Sequence, residues 1–245
     1  MHKHIILNNG LTMPAVGFGT WMLKGEAGKQ AIREALSVGY RLIDTAHMYD
    51  NEAIVGQAVA ESGLRREDVF ITTKLCQTRA GYELAWQGIE ESLARLQTDY
   101  IDLLLIHEPY AEALDMYRAL TEAYRQGVVR AIGISNFNAR EYLDFIGSCD
   151  IVPMVNQVEC HVYYRRKELQ QALVTKGTQM QAWSPFTEGK KPYSRSPFYR
   201  LSARNTARRP HRLPCSTWCS RASASFRNRP IGSGWWRISI FSTSP

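Results

Sequence analysis

No stretch of this chain stays apolar for the roughly 18–20 residues that a membrane span requires, so a membrane-embedded reading has no support in the sequence. The N-terminus, MHKHIILNNG, lacks the long apolar core and small-residue cleavage site of a secretory signal. Cysteine is scarce: five in 245 residues, an odd number without regular spacing. That argues against a disulfide framework and for free thiols in a reducing compartment, the cytoplasm. Cys215 and Cys219 have no histidine or cysteine pair at zinc spacing, so no metal site is expected. A G-x-G-x-x-G run is also missing. GFGTW at 17–21 continues into Met22, Leu23 and Lys24 without a third glycine, which weakens an open dinucleotide-binding sheet.

The last absence divides the chain in two. Residues 192–245 contain no Asp, Glu or Lys, yet hold ten Arg and eleven Ser. That tail contributes +10 of a net charge of +7, so residues 1–191 sum to −3. The basic balance therefore describes the tail and implies no electropositive face on the main domain.

What is present before the tail is an alternation. Residues 4–13 read as a β-hairpin around Asn8, Asn9 and Gly10. Strand candidates follow at 16–18, 41–43, 69–74, 100–107, 128–135, 154–158 and 179–183. Helical spacing separates them at 25–38, 51–62, 82–96, 111–126, 139–146 and 166–174. Seven strands alternating with six helices signal βαβ units and a parallel sheet. Polar residues at nearly every strand end favour a closed (β/α)8 barrel, whose chemistry sits at the C-terminal mouth.

Four such ends carry ionisable groups: Asp44 with Tyr49, then Lys74, then His107. Each has a bland alternative. Asp44 could cap a helix or make a structural salt bridge, and Tyr49 could pack its loop. Lys74 could be a solvated strand end, and His107 a satisfied core histidine. On one barrel mouth they form the set that carbonyl reduction needs. Hydride addition leaves charge on oxygen, which requires a proton donor in reach. A tyrosine with an unperturbed pKa near 10 serves if a nearby cation favours its phenolate. Lys74 can be that cation, Asp44 can hold it, and neutral His107 can polarise the carbonyl.

The motifs LNNGLTMPAVGFGTW, GYRLIDTAHMYDNE, ITTKL, LLLIHEP, GVVRAIGISNF, VNQVECH and AWSPF occur in that order between Ile5 and Phe186. In these the chain resembles the aldo-keto reductases, most closely bacterial members acting on small aldehydes, methylglyoxal and diketo-sugar acids such as 2,5-diketo-D-gluconate. The resemblance implies an NADPH-dependent carbonyl reductase with Tyr49 as proton donor, Asp44 and Lys74 as its tuning pair and His107 orienting the carbonyl. It further implies that Ser135, Asn136 and Gln157 meet the nicotinamide carboxamide, that Trp183 stacks on the ring, and that Thr20 lies nearby. Ser184 and Phe186 would line the pyrophosphate path, and Trp21 and Met48 the substrate mouth. Ser135–Asn136 could instead cap the helix at 139. A small-molecule carbonyl is the expected partner and a monomer the expected state, with no nucleic acid or membrane partner.

After residue 191 the resemblance ends. The family continues through a seventh helix, an eighth strand and a helix whose groups hold the adenosine 2′-phosphate; the tail supplies none of that pattern. The expected architecture is a barrel over 1–191, incomplete after the seventh strand, followed by a non-homologous, disordered tail at 192–245. A functional Arg/Ser-rich tail binding nucleic acid or acidic surfaces is one reading. Translation out of frame near codons 189–192 is the preferred one, because a basic tail would use lysine and would lack Trp235, Trp236 and two cysteines. Two further readings of the whole follow: a catalytically dead or unstable product, or a barrel that binds cofactor without turnover.

Overall fold

The computed structural model describes residues 4–185, Thr187 and the backbone of residues 238–241. Phe186 and the rest of the tail lie outside the described residues. The chain opens with a hairpin, β1 (His4–Ile6) and β2 (Thr12–Pro14), antiparallel with Ile5 opposite Met13. Both of those apolar side chains are buried against the barrel floor's core cluster. Then strands and helices alternate: β3 (Val16–Gly19), α1 (Gly25–Ser37), β4 (Leu42–Asp44), α2 (Glu52–Ala60), β5 (Phe70–Leu75) and α3 (Tyr82–Leu96). They continue as β6 (Leu103–Ile106), α4 (Ala113–Arg125), β7 (Ile132–Ser135), α5 (Ala139–Ile146), β8 (Val155–Glu159), α6 (Lys167–Thr175) and β9 (Gln179–Trp183).

β3 to β9 pair in sequence order, all parallel. β5, β6 and β7 are buried at every position, because helices cover one face and the barrel interior fills the other. α4 and α5 are amphipathic for the same reason. On α4, Met116, Tyr117, Ala119, Leu120 and Ala123 face inward. The closest approaches require glycine. A Cβ on Gly133 of β7 would run into the Val155 carbonyl of β8, and one on Gly56 of α2 would meet the carbonyls of Arg95 and Leu96 at the end of α3.

The expected limit of seven parallel strands stands; no further parallel strand follows β9 among the described residues. The expected open edges do not. A strand from the tail, β10 (Ile238–Phe241), runs antiparallel between β9 and β3 and closes the barrel. Ile240 lies opposite Val16 on one side and Ala182 on the other. The sequence reading placed no strand in 192–245, since four residues are too few to show a period of two. The expectation of disorder there needs correction at these four positions.

The far end of the barrel is tied by one buried carboxylate. Asp102, just before β6, accepts from Arg66 at 2.8 Å, Arg130 at 2.9 Å and the Ile71 backbone N–H at 3.0 Å. The Tyr100 ring sits against both guanidinium groups. This cluster leaves the opposite mouth free to be shaped by different residues.

Candidate active site

The C-terminal ends of β4, β5 and β6 bring Asp44, Lys74 and His107 to one mouth, and the 3-10 turn His47–Tyr49 that follows β4 delivers Tyr49 beside them. Lys74 is 1% exposed, which excludes the solvated strand end. Its ammonium donates to Asp44 Oδ1 at 2.6 Å and to the Thr45 carbonyl at 2.8 Å. The other Asp44 oxygen accepts from Gln157 Nε2 at 2.6 Å. Burial alone would depress the Lys74 pKa; the Asp44 carboxylate and the Tyr49 phenol, with their hydrogen bonds, outweigh it and raise the pKa above its ordinary value. The lysine is therefore held charged.

The Tyr49 phenol lies close enough to Lys74 to help raise its pKa, and Lys74 Nζ is 5.1 Å from the centre of the Tyr49 ring. The Tyr49 ring meets the His107 imidazole edge to face, with centres 5.7 Å apart. Burial, and then the Lys74 charge, push the His107 pKa down to about 3. The imidazole is neutral at physiological pH, and its buried Nδ1 has no hydrogen-bond partner among the described residues. A phenol, an ammonium, a carboxylate and a neutral imidazole thus converge from four separate stretches of sequence.

The loops that hold them are laced by further polar side chains. Asn51 donates to the Thr20 and Leu23 carbonyls at 2.7 and 3.1 Å and accepts from Thr45 Oγ1 at 2.6 Å, joining the β3–α1 and β4–α2 loops. Lys24 donates to the Tyr49 carbonyl at 2.7 Å. His47 meets Glu91 of α3 at 3.0 Å, and Arg79 clamps the same carboxylate. Hydrogen bonds from His47 and Arg79 hold the Glu91 pKa down to about 2.

The second wall comes from β7, β8 and β9. Ser135 Oγ donates to the Gln157 carbonyl at 2.9 Å. Asn136, in the left-handed region at φ 66°, donates from Nδ2 to the His107 carbonyl at 3.2 Å and to Glu108 Oε1 at 2.7 Å. Its Oδ1 accepts from Trp183 Nε1 at 2.8 Å. Gln157 also donates to Gln181 Oε1 at 3.0 Å. Ser135 and Asn136 do not cap α5; Asn138 does, in a reciprocal pair with Glu141. This wall of amide and hydroxyl groups beside an indole has the donor and acceptor types that a nicotinamide carboxamide and ring would take.

The remaining expected residues fall as follows. Thr20 is fully buried, its hydroxyl donating to the Asp44 carbonyl at 3.0 Å. Trp21 and Met48 are exposed at the mouth. Ser184 follows β9 with φ 50° and accepts from the Thr187 N–H at 2.8 Å. Neither Asn51 nor Glu108 carries a signal of its role in the sequence, beyond Glu108's position directly after His107. No group of three His, Cys, Asp or Glu among the described residues could hold a metal ion.

Residues 15–218 match the family described as the Aldo/keto reductase family. Glyoxal reductase of Bacillus subtilis is 43% identical over 185 residues, which are 75% of this chain and 67% of that protein. Morphine 6-dehydrogenase of Pseudomonas putida is 42% identical over 184 residues, 74% of this chain and 62% of the relative, so the chain spans less than two thirds of that protein's length. Among solved structures, an aldo-keto reductase from a Medee basin deep-sea metagenome superposes with a TM-score of 0.80 at 38% identity, covering 84% of this chain and 77% of its own. A Bombyx mori aldo-keto reductase in complex with NADP gives 0.79 at 31% identity, covering 86% and 78%.

Proposed function

The chain belongs to the aldo/keto reductase family, and from that premise we propose that it is an NADPH-dependent oxidoreductase reducing small aldehydes and ketones, such as methylglyoxal or keto-sugar acids. The observation that supports this most is the convergence of Tyr49 on charged Lys74 and neutral His107.

Bound NADPH supplies the hydride that the carbonyl carbon accepts. Ser135, Asn136 and Gln157 would hold its carboxamide, and Trp183 would flank the ring. His107, neutral because it is buried beside Lys74, donates a hydrogen bond to the substrate oxygen and polarises it without adding a charge. Tyr49 then gives its proton to that oxygen. The developing phenolate is stabilised by the Lys74 ammonium, which Asp44 keeps charged and aimed. The reverse oxidation uses the same groups, with Tyr49 accepting the proton. Trp21 and Met48, exposed at the mouth, border the substrate.

The domain reading that accompanies this is a barrel over 1–191 and a tail at 192–245 from a shifted frame, whose strand β10 closes the barrel. Cys76 and Cys149 are free thiols, which supports a reducing compartment, and we place the enzyme in the cytoplasm as a monomer. Loss of the 2′-phosphate clamp predicts weakened NADPH affinity.

The test is NADPH oxidation with methylglyoxal by the full-length chain, beside a version whose frame is restored near codon 190. Turnover by both supports the reading for this polypeptide. Turnover by the restored version alone makes the present chain a disabled reductase. Turnover by neither removes the assignment.

A further inference from the structure

The carboxylate of Glu108 stands at the rim of the site, directly after His107 and across from Asn136. It accepts from Asn136 Nδ2 at 2.7 Å, while its backbone carbonyl accepts from the Tyr110 N–H at 2.8 Å. Its side chain is exposed, and among the described residues no Lys, Arg or His lies within ion-pairing distance of it. The other charges around the mouth are compensated. Lys74 is paired with Asp44, Lys24 with Asp50, and Arg79 with Glu91. Glu141 of α5 is close enough for its charge to be felt at Glu108, and it adds charge of the same sign.

We propose that Glu108 sets the charge class of the substrate, so that neutral carbonyl compounds are accepted and carbonyl compounds carrying a carboxylate are repelled. This rests on the reductase reading and narrows it. A substrate whose oxygen lies between Tyr49 and His107 has its nearest substituents beside the residue that follows His107. An uncompensated carboxylate there acts on an anion at close range through a medium whose dielectric is below that of bulk water on its protein side. Cleft walls of one sign also lower the local concentration of like-charged ligands. Of the substrate classes that the sequence suggests, methylglyoxal fits this rim and the keto-sugar acids do not.

Protonation gives the device a signature. Partial desolvation of the carboxyl, in a residue that is otherwise exposed, and then the like charge of Glu141 push Glu108 above the usual range against the opposing hydrogen bond from Asn136. Tyr110, packed on the same loop, feels Glu108 in turn. The repulsion is present above the Glu108 pKa and is lost as pH falls through it.

The experiment compares kcat/KM for methylglyoxal and for glyoxylate, which are similar in size and differ in charge, with NADPH, in the wild-type chain and in Glu108→Gln. Glutamine keeps an acceptor for Asn136 and removes the charge. The ratio of methylglyoxal to glyoxylate efficiency is expected to fall about tenfold in the variant. In the wild type it is expected to fall as pH is lowered, and in the variant to stay flat. Glu108→Lys is expected to lower the ratio further. A ratio that Glu108→Gln leaves unchanged overturns the proposal while leaving the reductase reading intact. If neither compound is reduced, the reductase reading has failed. The charge proposal is then decided by tryptophan fluorescence titration of the chain with benzoate and benzamide. Weaker benzoate binding that Glu108→Gln relieves supports it, and equal binding overturns it.

Discussion

Lys74 and Asp44 form a 2.6 Å ion pair with only 1% and 6% of their side chains exposed. Two charges so deep are stable only as a fully bonded unit, and both are: Lys74 also binds the Thr45 carbonyl, and Asp44 also accepts from Gln157. The pair links the proton-donor side of the mouth to the wall proposed for the nicotinamide. Removing one member strands the other. Asp44→Ala is expected to destabilise the fold by about 3–5 kcal/mol in urea unfolding. Asp44→Ala with Lys74→Met should cost clearly less than the sum of the two single changes. Additive costs would mean that the two groups do not act as a unit.

Tyr49→Phe isolates the proton. The ring, its edge contact with His107 and the surrounding turn persist, while the hydroxyl that meets Lys74 is lost. General-acid removal is expected to lower kcat for methylglyoxal reduction by about 10²–10⁴-fold. NADPH binding, followed by quenching of tryptophan emission, should stay within about twofold of the wild type. A variant as active as the wild type would take the acid role away from Tyr49.

His107 makes a prediction by what does not titrate. With its pKa pushed down to about 3, the imidazole is neutral from mildly acidic to alkaline pH. No ionisation of His107 should therefore appear in kcat/KM above about pH 4. Stability carries the complementary sign. An unfolded histidine binds a proton below about 6.5, and the folded one does not until about 3. Folding should thus weaken as pH falls through that window, by up to about 1.4 kcal/mol per unit from this group. Replacing His107 by Gln should flatten that slope, and an unchanged slope would assign the acid sensitivity elsewhere.

At the opposite end of the barrel, Asp102 is 1% exposed and faces two guanidinium groups. Asp102→Ala leaves the Arg66 and Arg130 charges and the Ile71 N–H without their shared acceptor. A loss of about 3 kcal/mol or more is expected in thermal or urea melts. KM for the carbonyl should not move, because this cluster lies at the end of the barrel away from the mouth. A changed KM with unchanged stability would contradict that separation.

Parts of this architecture are legible in the sequence because they are local. The limits of α3 and α5 follow from helical spacing, and α5 is bounded by the Asn138–Glu141 capping pair. Asp44 and His107 stand out because each ionisable group ends an apolar run, Lys74 because it ends a β-branched one, and Tyr49 because it follows Asp44 in the same loop. The strand at 100–107 reads too long, since Ile101 and Asp102 are buried by a single bridge and a salt-bridge cluster and not by the ladder itself. The Asn136–Trp183 bond spans 47 residues and the Gln157–Asp44 bond 113. No periodicity encodes such pairs; barrel closure brings them together. Glu108 looks like any polar residue before a proline until Asn136 is seen beside it.

β10 is the least legible element and the most exposed to test. Its four residues take the place between β9 and β3, with the backbone of Ile240 in register with Val16 on one side and Ala182 on the other. Without it, two parallel strands would present unpaired N–H and C=O groups, a template for association with other chains. Ile240→Pro removes a backbone donor and fits poorly in a strand flanked on both sides. It is expected to cost about 1–3 kcal/mol and to raise light scattering on heating. Ile240→Val, which keeps the backbone donor, is the control and should leave both readouts close to the wild type. If Ile240→Pro also changes neither, the barrel does not depend on β10, and residues 15–185 hold together with open edges.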